Sequence, residues 1–226
     1  MKNFNRSAVL KRFHPWALVL LPALLIGAAV LFFSVSKHLA AQTTDGTQTL
    51  IFMRHAEKPA AGLGQLNCQG MNRAIALSTL LPRDYGKANF IFASNPSRHV
   101  EEGINDESFS YLRPLLTIAP SAIKLGLSVN IDFSANDTSD LADELIHDKY
   151  HGATIYTAWS HGYLPELINQ VATDASGEEQ MIVDDWDSND FDSLYVLTLV
   201  WHDGKASVTH KLVKQGLNNG SMNCPV

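Results

Sequence analysis

The 226-residue chain predicts a three-layer α/β/α domain with a mostly parallel sheet and an antiparallel C-terminal hairpin, preceded by an N-terminal transmembrane helix. Three observations predict it. From Leu50 onward, short apolar runs rich in Ile, Phe, Tyr and Val alternate with helix-like segments, as they do where helices cover both faces of a parallel sheet. Near the end, Asp203-Gly204 separates two strand-like runs, a hairpin signal. Ahead of all this stands a 19-residue stretch, Ala17 to Val35, that carries no charge.

That stretch is about 28 Å long as a helix at ~1.5 Å per residue, close to the hydrocarbon thickness of a bilayer. Lys2, Arg6, Lys11 and Arg12 precede it and only Lys37 follows closely, so the positive-inside rule keeps the N-terminus cytoplasmic and exports the rest to the periplasm or cell exterior. The expected organisation is a basic cytoplasmic tail over 1–16, a membrane anchor over 17–36, a linker over 37–48 and one domain over 49–226. A cleaved signal peptide is the rival. Its hydrophobic region would be shorter, and a cut after Ala41 would put Leu39 where a small residue is wanted.

Charge divides the chain in the same place. Five of the 17 Lys and Arg precede Gln42 and all 23 acids follow it, so the part from Gln42 carries a net −11, against −6 overall. About 185 residues are enough for one domain with a sizeable core. A hydrophobic fraction of 46% with 18% charged residues excludes wholesale disorder and a multi-span membrane protein. The acidic balance argues against nucleic acid as a partner. Any anionic substrate then needs a local basic pocket.

Along the domain, Leu50 to Met53, Phe90 to Ala93, Ile155 to Trp159 and Leu194 to Trp201 read as buried strands, with Leu127 to Ile131 a weaker fifth and Ala206 to Val213 the second arm of the hairpin. Met71 to Leu81, Tyr111 to Ile123, Asp140 to His147 and Leu164 to Val171 read as helices. Thr138 or Ser139 offers the N-cap of the third. Arg73 belongs to the core-facing side of the first helix. In an exported chain the two cysteines, Cys68 and Cys224, permit one disulfide. Neither belongs to a Cys-x-x-Cys or Cys/His pattern, and no metal or cofactor is expected.

Reactive groups in open parallel sheets gather beyond the carboxyl ends of the strands. Two histidines take such positions. Leu50-Ile51-Phe52-Met53 runs into Arg54-His55-Ala56-Glu57, and Ile155-Tyr156-Thr157-Ala158-Trp159 runs into Ser160-His161-Gly162.

These segments resemble the signature of the histidine phosphatase superfamily, the phosphoglycerate mutase-like proteins, over roughly Thr49 to Val213. Arg54-His55-Ala56 is similar to the Arg-His-Gly tripeptide with Ala for Gly, His161-Gly162 to the second histidine, and Arg113 with Thr117 to a second arginine followed four residues later by threonine. The resemblance implies a phosphatase whose His55 attacks phosphorus to form a phosphohistidine, with Arg54, Arg113 and His161 holding the phosphoryl group. The chemistry agrees. Phosphoryl transfer spreads negative charge over three oxygens, so catalysis is chiefly positioning and cation clamping, and forked guanidinium groups suit it. His55 must be neutral to attack, so its other nitrogen needs an acceptor.

The remaining candidates are weaker. Arg98, after the second strand, either reaches a substrate anion or pairs with Glu101 or Glu102. A general acid is hard to find, because Gly162 follows the second histidine where some superfamily members carry an acid. Asp132 is the first acid after the second-arginine helix and is taken as the candidate. His147 and His151 at a helix end and His202 and His210 in the hairpin read as solvated. The run Asp184 to Asp190 imitates a calcium loop but lacks its glycine and bidentate glutamate, so it too reads as a solvated loop. The expected function is hydrolysis of a phosphomonoester by a membrane-anchored, exported enzyme; the alternative is a noncatalytic phosphate-binding or scaffold module on the same fold. A metal-dependent hydrolase is disfavoured by the absence of a ligand spacing such as His-Glu-x-x-His.

Overall fold

A computed structural model describes residues 45–225. The tail, the expected anchor over 17–36 and most of the linker lie outside the described residues. Among the described residues, no helix is long and apolar enough to cross a membrane.

The fold is α/β, built on a five-stranded mixed sheet. In chain order its strands are β1 (Gly46–Arg54), β2 (Phe90–Ala93), β5 (Thr154–Trp159), β6 (Ser193–His202) and β7 (Lys205–Lys214); β3 (His99–Glu102) and β4 (Glu107–Ser110) form a separate two-stranded ribbon. The helices are α1 (Cys68–Tyr85), α2 (Arg113–Leu125), α3 (Thr138–Leu145) and α4 (Leu164–Ser176). Strand order is β2-β5-β1-β6-β7. β2 and β1 each pair with β5 in parallel, whereas β6 pairs with β1 antiparallel and β7 with β6 antiparallel. The expectation of a mostly parallel sheet is therefore corrected: β6 turns back against β1, and the sheet divides into a parallel half and an antiparallel half. β1 also begins at Gly46, inside the expected linker.

Period-two alternation in β1 explains the layering. Leu50 and Phe52 face one side, where they pack with Leu141, Leu145, Leu167, Ile168 and Val171 of α3 and α4. Ile51 and Met53 face the other, with Leu77 and Leu81 of α1 and Ile118 of α2. Both faces are thus dry, as parallel strands require. Besides Arg54 at its end, β1 carries one buried polar residue, Gln48. It is satisfied on both sides, donating to the Leu145 carbonyl at 2.7 Å and accepting from Trp201 Nε1 at 2.9 Å.

Helix boundaries follow local chemistry. Asn67 caps α1 by accepting from the Gly70 N–H at 2.8 Å. Gly126 and Gly177 end α2 and α4 in the left-handed region, at φ of 69° and 73°. The N-cap of α3 is Asp137 rather than Thr138 or Ser139; its carboxylate accepts from the Ser134 N–H, while Thr138 begins the helix and donates to Glu166 at 2.6 Å. The weak fifth strand reduces to one parallel bridge between Asn130 and Phe92. Cys68 and Cys224 form a disulfide that fastens the C-terminal tail to the first turn of α1. Gln69 and Asn72 hold the same tail by donating to the carbonyls of Asn218, Ser221 and Asn223.

Candidate active site

Arg54 pairs with Trp159 in the last register position of the β1–β5 ladder, so the residues that follow, His55 on one strand and Ser160-His161 on the other, leave the sheet side by side. The His55 N–H donates to the Trp159 carbonyl at 2.9 Å and extends the ladder one step. A cavity of about 120 Å³ opens there, lined by Arg54, His55, Arg98, Arg113 and His161 together with Lys58, Tyr111, Ser160 and Tyr163. The structure therefore gathers five of the six sequence-derived candidates around one space.

His55 is 2% exposed. Its Nδ1–H donates to the Ala56 carbonyl at 2.8 Å, which supplies the acceptor that sequence could not identify and leaves the Nε2 lone pair free. Burial, then the neighbouring Arg113, Arg54 and His161, push its pKa well below the ordinary imidazole value, with the Ala56 bond opposing them. The ring is neutral at pH 7, as a nucleophile must be. Tyr111 packs edge-on against it at 5.9 Å between ring centroids.

Thr117 ties the second arginine to the first motif. Its hydroxyl accepts from the Ala56 N–H at 2.8 Å and donates to the Arg113 carbonyl at 2.8 Å, so the first turn of α2 is bonded directly to the chain that carries His55. Pro114 at the start of α2 lacks the N–H that a first-turn residue does not need. Arg113 is 4% exposed, and its Nη1 donates to Glu102 Oε2 at 2.7 Å.

Glu102 is a site residue that sequence reasoning assigned only as a possible partner of Arg98. It also accepts from Lys58 Nζ at 3.0 Å and from the Gly64 N–H at 3.0 Å. Partial burial acts to raise its pKa, but the bonds from Arg113, Gly64 and Lys58 outweigh it and bring the value down to about 2. Arg98 pairs with neither Glu101 nor Glu102; it donates to the Tyr163 hydroxyl at 3.0 Å and to Asn136 Oδ1 at 3.4 Å.

Arg54 is 3% exposed and held by unlike partners. It donates to the Ser188 carbonyl and its guanidinium lies 3.8 Å from the centroid of the Phe191 ring. Burial, with Arg113 adding to it, lowers its pKa to about 10 against the pull of Tyr111, Asp190 and Asp187. The Nε atoms of Arg54 and Arg113 and the Nδ1 of His161 are buried without a protein hydrogen-bond partner. Lined by three arginines, a lysine and two histidines, the cavity suits an anion with several acceptor oxygens.

The structure does not bring one expected residue to the site. Asp132 is exposed and does not line the cavity: its N–H is turned back onto Asn130 Oδ1, and the chain reaches the cavity only three residues later, at Ala135. The acidic run is a largely exposed loop, as expected, with Trp186 buried; from it the Ser188 carbonyl receives Arg54, and Asp185 acts on His161 through its charge. His161 has its pKa lowered by burial first and then by Arg54 and Lys58, so it is neutral at pH 7 until an anion offsets those cations. Among the described residues no group of His, Cys, Asp and Glu is arranged to hold a metal ion.

No protein-family model matches the chain, and no curated protein matches it. Solved structures are similar to it. Mycobacterial glucosyl-3-phosphoglycerate phosphatase with inorganic phosphate shares 14% identity at a TM-score of 0.46, covering 74% of this chain and 95% of that one. A mutant phosphoserine phosphatase from Entamoeba histolytica in complex with phosphoserine shares 12% at 0.43, over 75% and 98% of the two chains. Phosphoglycerate mutase from Bacillus anthracis str. Sterne shares 12% at 0.41, over 76% and 95%.

Proposed function

We propose that the chain is a histidine phosphatase that hydrolyses a phosphomonoester through a phosphohistidine on His55. The observation that carries this reading is the His55 ring itself: buried, neutral, with Nδ1 committed to the Ala56 carbonyl and Nε2 left for attack among two buried arginines. In the first step Nε2 forms a bond to phosphorus as the bond to the leaving oxygen breaks, and that oxygen leaves with the electron pair. In the second, water attacks phosphorus as the P–N bond breaks and its electron pair returns to Nε2, restoring the neutral imidazole, while the proton of the attacking water passes to solvent. Arg54 and Arg113 neutralise the phosphoryl oxygens in both steps, and the charge they bind favours protonation of His161 opposite.

No carboxyl side chain lines the cavity among the described residues, which favours leaving groups that depart without a strong acid. p-Nitrophenyl phosphate is such a substrate. The domain is expected to turn it over in the presence of EDTA, with His55→Ala abolishing turnover; full activity in that variant removes His55 as nucleophile. The missing acid also supports the second reading, a phosphate-binding module without turnover. Phosphate binding with no hydrolysis of any aryl phosphate would favour it.

The anchor over 17–36 and export of the domain belong to the same proposal. The disulfide supports an oxidising compartment, and the uncharged stretch with its flanking bases supports a single span. Carbonate extraction is expected to leave the full-length protein with the membrane; release into the wash would speak against the anchor.

A further inference from the structure

The cavity holds no carboxyl side chain among the described residues, yet an alkyl alcohol leaves phosphorus readily only when its oxygen is protonated. The lining side chains that carry an O–H are Tyr111, Ser160 and Tyr163. An aliphatic hydroxyl such as that of Ser160 is no stronger an acid than the alcohol it would serve. Tyr163 is tied to Arg98, from which its hydroxyl accepts at 3.0 Å. Tyr111 is placed differently. It is 4% exposed and stands edge-on to the His55 ring, with 5.9 Å between centroids and 89° between planes. The Arg113 guanidinium lies 4.8 Å from its ring centroid, and its hydroxyl is in hydrogen-bond contact with the side chains of Arg113 and Ser160. The backbone on both sides is fixed: the Tyr111 N–H donates to the Arg98 carbonyl at 2.8 Å, and the N–H groups of Leu112 and Arg113 donate to the Gly64 carbonyl at 2.8 and 3.1 Å. The phenol is thus held against both the nucleophile and the second arginine.

We propose that the Tyr111 hydroxyl donates the proton that the leaving oxygen takes up, so that the enzyme hydrolyses alkyl as well as aryl phosphomonoesters. This rests on the phosphatase reading above and supplies the acid which that reading lacks. An arginine side chain can only donate, so the phenolic oxygen accepts from Arg113 and keeps its own proton to give. Burial raises the pKa of Tyr111 against the opposing contacts of Ser160 and Arg113, and the phenol is protonated throughout the neutral range. It is a weak acid, but an alkoxide is a stronger base than a phenolate, so the transfer runs downhill. As the P–O bond breaks, its electron pair goes to the leaving oxygen, which takes the phenol proton, and the phenolate forms under the charges of Arg113 and Arg54. In the second step the phenolate takes the proton of the attacking water and is a phenol again. An aryl leaving group departs as the anion; Tyr111 then keeps its proton and that of the water goes to solvent.

The test compares p-nitrophenyl, phenyl and benzyl phosphate, aromatic esters whose leaving groups rise in basicity, through kcat/KM, which covers the step in which the leaving group departs. The native protein is expected to hydrolyse all three. Tyr111→Phe is expected to lose about 10²-fold more on benzyl than on p-nitrophenyl phosphate, the lower end of what one positioned acid contributes, with phenyl phosphate between them. Equal losses on the three esters overturn the proposal, because Tyr111 then positions His55 or binds the phosphoryl oxygens, and the proton comes from His161 or Tyr163. A native protein that cleaves p-nitrophenyl phosphate but not the benzyl ester also overturns it and leaves the phosphatase reading intact, whereas one inactive on all three ends both. If Tyr111→Phe does not fold, 3-fluorotyrosine incorporated at position 111 decides: its more acidic phenol is expected to raise the ratio of benzyl to p-nitrophenyl turnover, and an unchanged ratio overturns the assignment.

Discussion

Arg54 and Arg73 are each 3% exposed, and they stand on either side of the segment that carries His55. Their surroundings are opposite. Arg73 is satisfied throughout: Nε and Nη2 clasp the Glu57 carboxylate at 2.7 to 3.1 Å, Nη1 donates to Asp192 and Gln215 at 2.9 Å, and Nη2 also reaches Asn218 at 2.9 Å. Burial works against its charge, but the hydrogen bonds and charges of Glu57 and Asp192 outweigh it and raise its pKa. Arg54 has a carbonyl, an aromatic face and an unpartnered Nε, and its pKa falls. Burial of a cation is common to both; what separates a structural arginine from one held ready for a ligand is whether the fold already supplies its anions.

Replacing each arginine by methionine should break the pair apart. Arg73→Met leaves the Glu57 and Asp192 carboxylates buried without their cation, and a loss of about 3–5 kcal/mol is expected by urea denaturation at pH 7. Arg54→Met removes a buried charge that lacks a carboxylate partner, so its stability is expected to hold or rise, while kcat/KM for p-nitrophenyl phosphate falls by about 10²–10³, the usual cost of one transition-state donor. Equal destabilisation by the two variants would mean that Arg54 is structural too.

The same contrast explains what the sequence disclosed. An apolar run ending in Arg-His, and a second ending in Ser-His, are legible because strand burial and a reactive group at the strand end both leave a local pattern. Arg113 with Thr117 was legible only through the family resemblance, and the structure bonds that threonine to Ala56. Partners that act through the backbone leave no such mark: nothing in Asp184 to Asp190 announces that the Ser188 carbonyl receives Arg54. His151, read as solvated, is stacked 3.9 Å from Trp201 because two distant segments meet there. The β3–β4 ribbon was missed since it lies off the main sheet and only Val100 and Phe109 give it an apolar pair. The direction of β6 was missed because a run buried on both faces looks alike whichever way it points.

Glu102, carried by that ribbon, is the carboxylate that makes Arg113 intermediate between the other two arginines, and it gives the smallest of the expected effects. Glu102→Gln preserves the shape and one acceptor oxygen but removes the charge shared by Arg113 and Lys58. Because the folded-state pKa is about 2 and the ordinary value 4.5, the stabilisation is fully present above pH 4.5 and is lost as pH falls toward 2. Part of Glu102 meets solvent, so screening limits the effect, and a deficit of the order of 1 kcal/mol is expected for the variant at pH 7. Urea titrations of both proteins from pH 7 down to pH 2 should show the two stabilities converging below pH 4.5 as the native protein alone loses this contribution. If the gap stayed constant over that range, the carboxylate would be acting by shape rather than charge, and Arg113 would belong with Arg54 as a cation whose anion has still to arrive.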